Sequence, residues 1–194
     1  MPEADRLKWN DRYSSGDHAG VEPTAVLVQL DPLLPRAGRA IDVAGGAGRH
    51  SIWLARRGLE VTLADISSVG RELAGRRAAA AGMKLDFVEV DLELDPFPAG
   101  PWDLILSCFY LHRPLYSVYP RVLAPGGRLV IIQPTKKNLE RHVRPPAPFL
   151  LEPGELPSLV APLTIEHYVE DWSIEGRHEA VLIARRGSSA GDGA

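Results

Sequence analysis

The stretch from Arg39 to Ser67 constrains the fold of this 194-residue chain more than any other segment. It reads as a short apolar strand (40–43), a glycine-rich turn (44–48), a helix (about 49–57) and a second strand (59–64) that ends at Asp65. This order of elements is typical of nucleoside-binding βαβ units, in which the first helical amides face the ligand. Asp65 is placed to accept hydrogen bonds from two ribose hydroxyls. The stretch therefore predicts a site for an adenosine-containing cofactor.

The residues of the turn distinguish between possible cofactors. A dinucleotide site needs G-x-G-x-x-G, but Ser51 stands where the third glycine would be. A Walker phosphate-binding loop needs Lys and then Ser or Thr after its glycines, and Arg49 and His50 stand there instead. Both of these sites are therefore disfavoured.

A third type of turn fits better. Residues 42–48, Asp-Val-Ala-Gly-Gly-Ala-Gly, resemble the first motif of class I S-adenosylmethionine (SAM) methyltransferases, which usually reads D-x-G-x-G-x-G. Ala44 departs from that motif, and Ala is harder than Gly to place at positive φ. Further landmarks of these enzymes follow in the right order at 102–107, 111–112 and 125–127. With 9–13, 110–115 and 149–156 added, the chain resembles small-molecule methyltransferases of the tellurite-resistance and thiopurine-methyltransferase-like group.

The resemblance implies a Rossmann-like α/β fold: a seven-stranded, mostly parallel sheet with an antiparallel C-terminal hairpin strand and helices on both faces. The local patterns agree, and they predict helices over 4–13, 25–34, 67–82, 113–123 and 152–161. Further strands are expected over 84–90, 102–107, from 128, over 163–174 and over 177–186. We expect a single domain over 1–187, with an N-terminal helical cap over 1–34 and a flexible tail over 188–194.

The resemblance also implies that SAM is the cofactor and S-adenosylhomocysteine the product. Asp91 suits the exocyclic amine of adenine, although it could be an ordinary loop acid. Tyr13 could pack on the cofactor or anchor the N-terminus. Asp42 could order the turn or receive the amino group of SAM. The full set of expected cofactor contacts is Tyr13, Asp42, Ala44, Gly45, Gly46, Gly48, Arg49, His50, Asp65, Ile66, Asp91, Leu92, Ser107 and Cys108.

Methyl transfer from a sulfonium is an in-line displacement that depends on positioning and desolvation, and the sequence predicts no metal site. A thiolate or oxyanion acceptor needs no general base, whereas an alcohol or amine needs one nearby. The candidates are His112, Tyr110 and His178, with His112 preferred because it follows the fourth strand; each could instead be structural. Arg113 and Arg177 could hold an anionic acceptor, and the basic insert over 133–153 could act as a lid.

Composition and charge narrow the expected partners. A net charge of −3 gives no electrostatic reason to expect nucleic acid. The single cysteine excludes an internal disulfide and a cysteine-based zinc site. No apolar run reaches membrane-spanning length, and the first residues are too charged for a signal peptide. We expect a cytoplasmic monomer or homodimer that acts on a small molecule.

The sequence thus predicts SAM-dependent methyl transfer to a small acceptor such as a thiol or a chalcogen oxyanion. Two other functions stay open. The first is a non-catalytic SAM-binding module, which the Ala44 departure would favour. The second is an NAD-dependent oxidoreductase, against which Ser51 and the C-terminal hairpin both argue.

Overall fold

The computed structural model of the chain describes residues 2–16 and 20–188. These residues form two compact units, Met1–Pro98 and Ala99–Ala194. The expected flexible tail lies outside the described residues from 189 onwards, and the single-domain boundary and the N-terminal cap over 1–34 stay predictions.

The first unit is built around three parallel strands. Its strands are β1 (Arg39–Val43), β2 (Glu60–Asp65) and β3 (Asp86–Glu89), and β2 pairs with both of the others. Its helices are α1 (Pro2–Ser14), α2 (Ala25–Gln29), α3 (Arg49–Arg56) and α4 (Ser68–Ala80), with a 3₁₀ turn at Asp31–Leu33. The predicted start of α4 is confirmed, because the Ser67 Oγ accepts a hydrogen bond of 3.0 Å from the Gly70 N–H.

The second unit joins a parallel pair of strands to an antiparallel hairpin. Strand β4 (Trp102–Cys108) runs parallel to β5 (Leu123–Pro134), and β7 (His178–Arg185) lies antiparallel to both β5 and β6 (Thr164–Trp172). The short helices are α5 (Tyr119–Val122) and α6 (Leu156–Leu159), with 3₁₀ turns at Arg113–Ser117, Lys136–Glu140 and Ala147–Phe149. The C-terminal hairpin that the sequence predicts is confirmed.

The seven strands follow the order β3-β2-β1-β4-β5-β7-β6. The chain therefore has the class I methyltransferase fold that the sequence predicts: a Rossmann-like sheet, parallel except for its C-terminal strands, with helices packed on it. Strands β1, β4 and β5 are buried along most of their length, which explains their continuous apolar runs. No helix in the part of the chain that the structure describes is long and apolar enough to cross a membrane.

Four predicted elements are clearly shorter than expected, and prolines explain two of them. The helix predicted over 152–161 covers only Leu156–Leu159. The helix predicted over 25–34 ends at Gln29, because Pro32 lies in a separate 3₁₀ turn. The helix predicted over 113–123 divides into a 3₁₀ turn with Pro114 near its start and a short helix with Pro120 near its start. The predicted strand over 84–90 covers only Asp86–Glu89.

The insert over 133–153 has little regular structure of its own, but it is attached to its own unit. Thr135 and Leu151 form an isolated parallel bridge, and the Gln133 side-chain amide donates a 2.8 Å hydrogen bond to the Phe149 carbonyl. An ion pair between Lys136 and Glu152 also spans the insert. Whether the insert acts as a lid stays a prediction.

Candidate functional site

The turn after β1 uses backbone conformations that side chains normally avoid. Gly46 has φ +53° and Gly48 has φ +79°, both in the left-handed region that favours glycine. Ala44 also has a positive φ, of 54°. The fold therefore holds this alanine at the positive φ that was expected to be difficult for it, in the position where the resembled motif has glycine. Such strain persists only where the surroundings enforce it, and it clusters at functional sites.

The carboxylate of Asp65 fixes this turn from the end of β2. Its Oδ2 accepts a hydrogen bond of 2.8 Å from the Gly46 N–H, and its Oδ1 accepts one of 2.8 Å from the Ser67 N–H. The side chain is buried, with 7% exposed, and burial raises the pKa of Asp65 above its ordinary value. Each carboxylate oxygen can accept a second hydrogen bond, so the predicted ribose contact remains chemically available.

Asp42 is the second buried acid of this unit, with 1% exposed. Its Oδ2 accepts a hydrogen bond of 2.5 Å from the Ser51 hydroxyl in α3. Burial is the main cause that raises the pKa of Asp42 to about 7, while the Ser51 hydrogen bond opposes that rise. Ser51 is therefore the hydrogen-bond partner of Asp42. The sequence analysis missed this role, because it considered Ser51 only as the residue that replaces the third glycine of a dinucleotide motif.

The raised pKa of Asp42 predicts a pH dependence of stability. The folded chain keeps a proton on Asp42 up to about pH 7, whereas the unfolded chain releases it near its ordinary pKa of 3.8. The contribution of Asp42 to stability is therefore fully present below about pH 4 and is lost as the pH rises to about 7. Between pH 5 and 7 the free energy of unfolding of the ligand-free protein should fall by about 1–3 kcal/mol through this group.

Urea unfolding followed by tryptophan fluorescence at several pH values checks this expectation. Asp42→Asn should remove most of the decline, because an amide keeps the shape and an acceptor for Ser51 but does not titrate. Buried Asp65 contributes a remaining decline of the same sign. Asp86→Asn, an exposed acid on β3, serves as the control and should follow the wild type. Parallel curves for the wild type and Asp42→Asn would contradict the assignment.

Helix α1 reaches the turn through Tyr13 and Asn10. A Cβ built on Gly46 would lie 2.0 Å from the Tyr13 Oη, so the phenol occupies the space that this glycine leaves open. The rings of Trp9 and Tyr13 stack with centroids 6.0 Å apart. The Asn10 Oδ1 accepts a hydrogen bond of 2.7 Å from the Ser67 hydroxyl at the start of α4. Tyr13 therefore lies beside the turn, and its contact with a cofactor stays a prediction.

The other residues expected to bind the cofactor in this unit lie around the turn. The His50 ring is buried, and its Nε2 accepts a 3.4 Å hydrogen bond from the Thr24 N–H. Asp91 Oδ1 accepts a 3.0 Å hydrogen bond from the Glu93 N–H, as a loop acid does. Arg49 lines a groove of about 540 Å³ together with Trp53 and Arg77. Ile66 is half-buried and Leu92 is buried. The structure brings together Asp42, the turn, Asp65 and Tyr13, and the charge of Arg49 acts on both Asp42 and Tyr13.

In the second unit, the end of β4 carries another residue in the left-handed region. Ser107 and Cys108 are buried as the last residues of the strand, and Phe109 follows with φ 60°. The Ser107 hydroxyl donates a 3.4 Å hydrogen bond to the Tyr110 carbonyl. Tyr110 is half-buried, and so is His112, which immediately precedes the 3₁₀ turn without capping it through its side chain. Their proposed roles in proton transfer stay predictions.

Arg113 and His178 already have structural partners. The Arg113 guanidinium donates to both carboxylate oxygens of Glu155, at 2.5 and 2.8 Å, and this pairing raises its pKa. The His178 ring is buried, with its Nδ1 2.7 Å from the Thr135 Oγ1 and its ring edge-on to Trp172. These contacts favour structural roles for both residues over the proposed ones.

Arg177 lies in a more informative position. Its guanidinium stacks on the Phe109 ring, with the Cζ 4.7 Å from the ring centroid, so the start of β7 meets the end of β4 there. The Arg177 Nε donates a 3.2 Å hydrogen bond to Glu179. Glu179 is a buried acid that the sequence analysis did not single out, and its place in a continuous apolar strand was the available signal.

No group of His, Cys, Asp and Glu side chains that could hold a metal ion occurs within residues 2–16 and 20–188.

Comparisons with known proteins agree with this arrangement. Residues 40–127, which contain the turn and both strands beside it, match the model of a family described as a methyltransferase domain. An uncharacterised protein of Mycobacterium tuberculosis is 32% identical over 153 residues, which are 71% of this chain and 56% of that protein. The demethylmenaquinone methyltransferase of Thermus thermophilus is 37% identical over 103 residues, which are 49% of this chain and 46% of that enzyme. The chain thus spans about half the length of these curated relatives.

A solved structure supports the same fold. The crystal structure of a TehB-like SAM-dependent methyltransferase from Corynebacterium glutamicum superposes with a TM-score of 0.64 at 20% identity, covering 95% of this chain and 97% of that one. At this level of identity the likeness shows the fold alone.

Proposed function

We propose that this chain, which carries a SAM-dependent methyltransferase domain of the class I fold, transfers the methyl group of SAM to a small-molecule acceptor. One observation carries the proposal. The turn after β1 holds a non-glycine residue, Ala44, and Gly46 at positive φ, and the buried Asp65 carboxylate fixes it in place. A fold tolerates such strain where an open main chain serves a ligand.

The residues of this unit fit the adenosyl group of SAM. Asp65 would accept hydrogen bonds from the ribose, since its oxygens keep free acceptor capacity beyond the Gly46 and Ser67 amides. Gly46 leaves room for the Tyr13 phenol beside the turn, and Asp42 holds the start of α3 through Ser51. Asp42 would order the turn or receive the amino group of SAM. When bound, SAM supplies a methyl group on its sulfonium sulfur. The sulfur keeps the electron pair of the C–S bond that breaks.

In-line displacement depends mainly on how the protein positions the acceptor relative to the cofactor. The acceptor must lie on the axis of the S–CH₃ bond with its nucleophilic atom partly stripped of water, which needs no metal ion. We propose a small acceptor such as a thiol, a chalcogen oxyanion or a similar small molecule, as in the tellurite-resistance and thiopurine-methyltransferase-like group. His112 and Tyr110, which follow β4, are the proposed bases for an acceptor that must lose a proton.

Two experiments test the proposal in sequence. Calorimetry with SAM, S-adenosylhomocysteine and NAD should show binding of the first two ligands and none of NAD. Binding of NAD alone would overturn the proposal in favour of an oxidoreductase. Incubation with methyl-labelled SAM and a panel of small thiols, alcohols, selenite and tellurite should then transfer label to one of these acceptors. SAM binding without any labelled product would favour a non-catalytic SAM-binding module.

A further inference from the structure

Two arginines line a groove of about 420 Å³ in the second unit. Arg121 lies in α5, Arg186 directly follows β7, and Ser117 adds a hydroxyl group between them and the solvent. No Asp or Glu lines this groove in the part of the chain that the structure describes. The remaining wall is apolar and includes Pro120, Pro162 and Leu163. A few polar groups beside an apolar wall, in a volume of this size, are typical of small-molecule sites.

Both guanidinium groups are held by oxygens that carry no net charge. The Arg186 Nη1 donates a 3.2 Å hydrogen bond to the Arg121 carbonyl and another to the Leu123 carbonyl. The Arg121 Nε donates at 2.8 Å to the Ser117 carbonyl, and its Nη2 donates at 3.3 Å to the Ser117 hydroxyl. Neither arginine forms an ion pair with an acid within residues 2–16 and 20–188. The Arg186 Nε and Nη2 and the Arg121 Nη1 therefore remain available as donors to a ligand.

A second pair of arginines in the same unit is arranged differently. Arg128 and Arg185 each donate a 2.7 Å hydrogen bond to Glu166 on β6, one to each carboxylate oxygen. The fold thus provides a carboxylate for this pair, whereas Arg121 and Arg186 face an open groove. Two positive charges at one groove repel each other, and a bound anion relieves that repulsion. The groove therefore favours an anionic ligand.

The groove lies at the opposite end of the strands from the proposed bases. Leu123, whose carbonyl accepts from Arg186, is the first residue of β5 and is paired with Trp102, the first residue of β4. Tyr110 and His112 follow the other end of β4. A ligand in this groove is therefore distinct from a methyl acceptor that either of these bases would serve.

We propose that this groove binds a small organic phosphate, with the phosphate group on Arg121 and Arg186 and the organic part against the apolar wall. A phosphate monoester has three acceptor oxygens and up to two negative charges at neutral pH, which match two guanidinium groups. The planar guanidinium donates paired N–H bonds with the geometry that phosphate oxygens need. This site is independent of the proposed methyl transfer.

Phenyl phosphate, inorganic phosphate and phenol form a matched set of probes, because each of the last two lacks one half of the first. Calorimetry should show that the wild type binds phenyl phosphate about tenfold or more tightly than phenol, since hydrogen bonds between charged groups are worth at least that much. Inorganic phosphate should bind more weakly than phenyl phosphate, because it cannot contact the apolar wall.

Charge variants test where the phosphate binds. Arg121→Gln and Arg186→Gln should each weaken the binding of phenyl phosphate about tenfold or more. Arg128→Gln is the control: it removes the same charge from an arginine that is paired with Glu166, and it should bind phenyl phosphate as the wild type does. Urea unfolding shows which variants are folded. Because Arg186 also contacts the Leu123 carbonyl, Arg121→Glu at an exposed position provides a second test that does not depend on the Arg186 variant.

Four results would overturn the inference. The first is an affinity of the wild type for phenyl phosphate that is absent or no greater than that for phenol. The second is equal affinity for inorganic and phenyl phosphate, which would exclude an organic ligand. The third is unchanged binding of phenyl phosphate by Arg121→Glu, which would place the anion elsewhere on the protein. The fourth is an equal loss in Arg128→Gln and Arg121→Gln, which would show an effect of net charge alone.

Discussion

Asp65→Ala should weaken the binding of SAM by about 1–3 kcal/mol, which is roughly 5- to 150-fold in the dissociation constant. The substitution removes the proposed ribose acceptor. It also leaves the amides of Gly46 and Ser67 without the carboxylate oxygens to which each now donates at 2.8 Å. Calorimetry with SAM and with S-adenosylhomocysteine measures the effect.

Two further variants separate these contributions. Asp65→Asn keeps one oxygen acceptor, so it should lose less affinity than Asp65→Ala. Asp86→Asn changes an exposed acid at the start of β3 and should bind SAM as the wild type does. Thermal unfolding shows that each variant is folded before affinities are compared. Unchanged affinity in a folded Asp65→Ala protein would show that Asp65 is not the ribose acceptor.

Gly46→Ala should have the second large effect, lowering SAM affinity by at least tenfold and the free energy of unfolding by about 1–3 kcal/mol. Two causes add. The new Cβ would lie 2.0 Å from the Tyr13 Oη, so the phenol must move, and the φ of +53° is unfavourable for alanine. Urea unfolding and calorimetry measure the two effects separately.

The glycine at the end of α4 provides a matched control for this variant. Gly82 has φ +68°, but a Cβ there would meet no atom within 4 Å. Gly82→Ala therefore has the backbone penalty without the collision, and it should destabilise the protein by about 1 kcal/mol while SAM binds normally. Tyr13→Ala in the Gly46→Ala background should restore part of the stability. Equal effects of Gly46→Ala and Gly82→Ala on SAM binding would contradict the role of the turn.

The fold and the turn were predictable because their sequence signals are local. Glycines at 45, 46 and 48 between an apolar strand and an amphipathic helix allow few backbone paths, and Ser67 and Gly82 bound α4 by short-range hydrogen bonding. Even Ala44 was identifiable, because it stands where the resembled motif has glycine, and its φ is indeed positive. The prolines at 32 and 114 were equally visible, but their effect on helix length was underestimated.

The side-chain partners were not predictable, because they come from distant parts of the sequence. Arg113 meets Glu155 across 42 residues, and His178 meets Thr135 across 43. Both residues are candidates for substrate binding or catalysis from the sequence, which shows neither of these partners. Glu179 was not a candidate at all. One acid in an apolar strand does not indicate that one of its carboxylate oxygens will be buried without a hydrogen-bond donor among the described residues.

The attachment of helix α1 has one more consequence. None of residues 3–14 is buried, and a 13-residue helix is marginal in water by itself. The contacts that hold α1 on the first unit include the hydrogen bond from the Ser67 hydroxyl to the Asn10 amide oxygen and the packing of the Tyr13 ring against Gly46. Local unfolding of this one segment would therefore uncover the turn while the sheet stays intact. Cofactor exchange would then need only this local opening, whose free energy can lie far below the global free energy of unfolding.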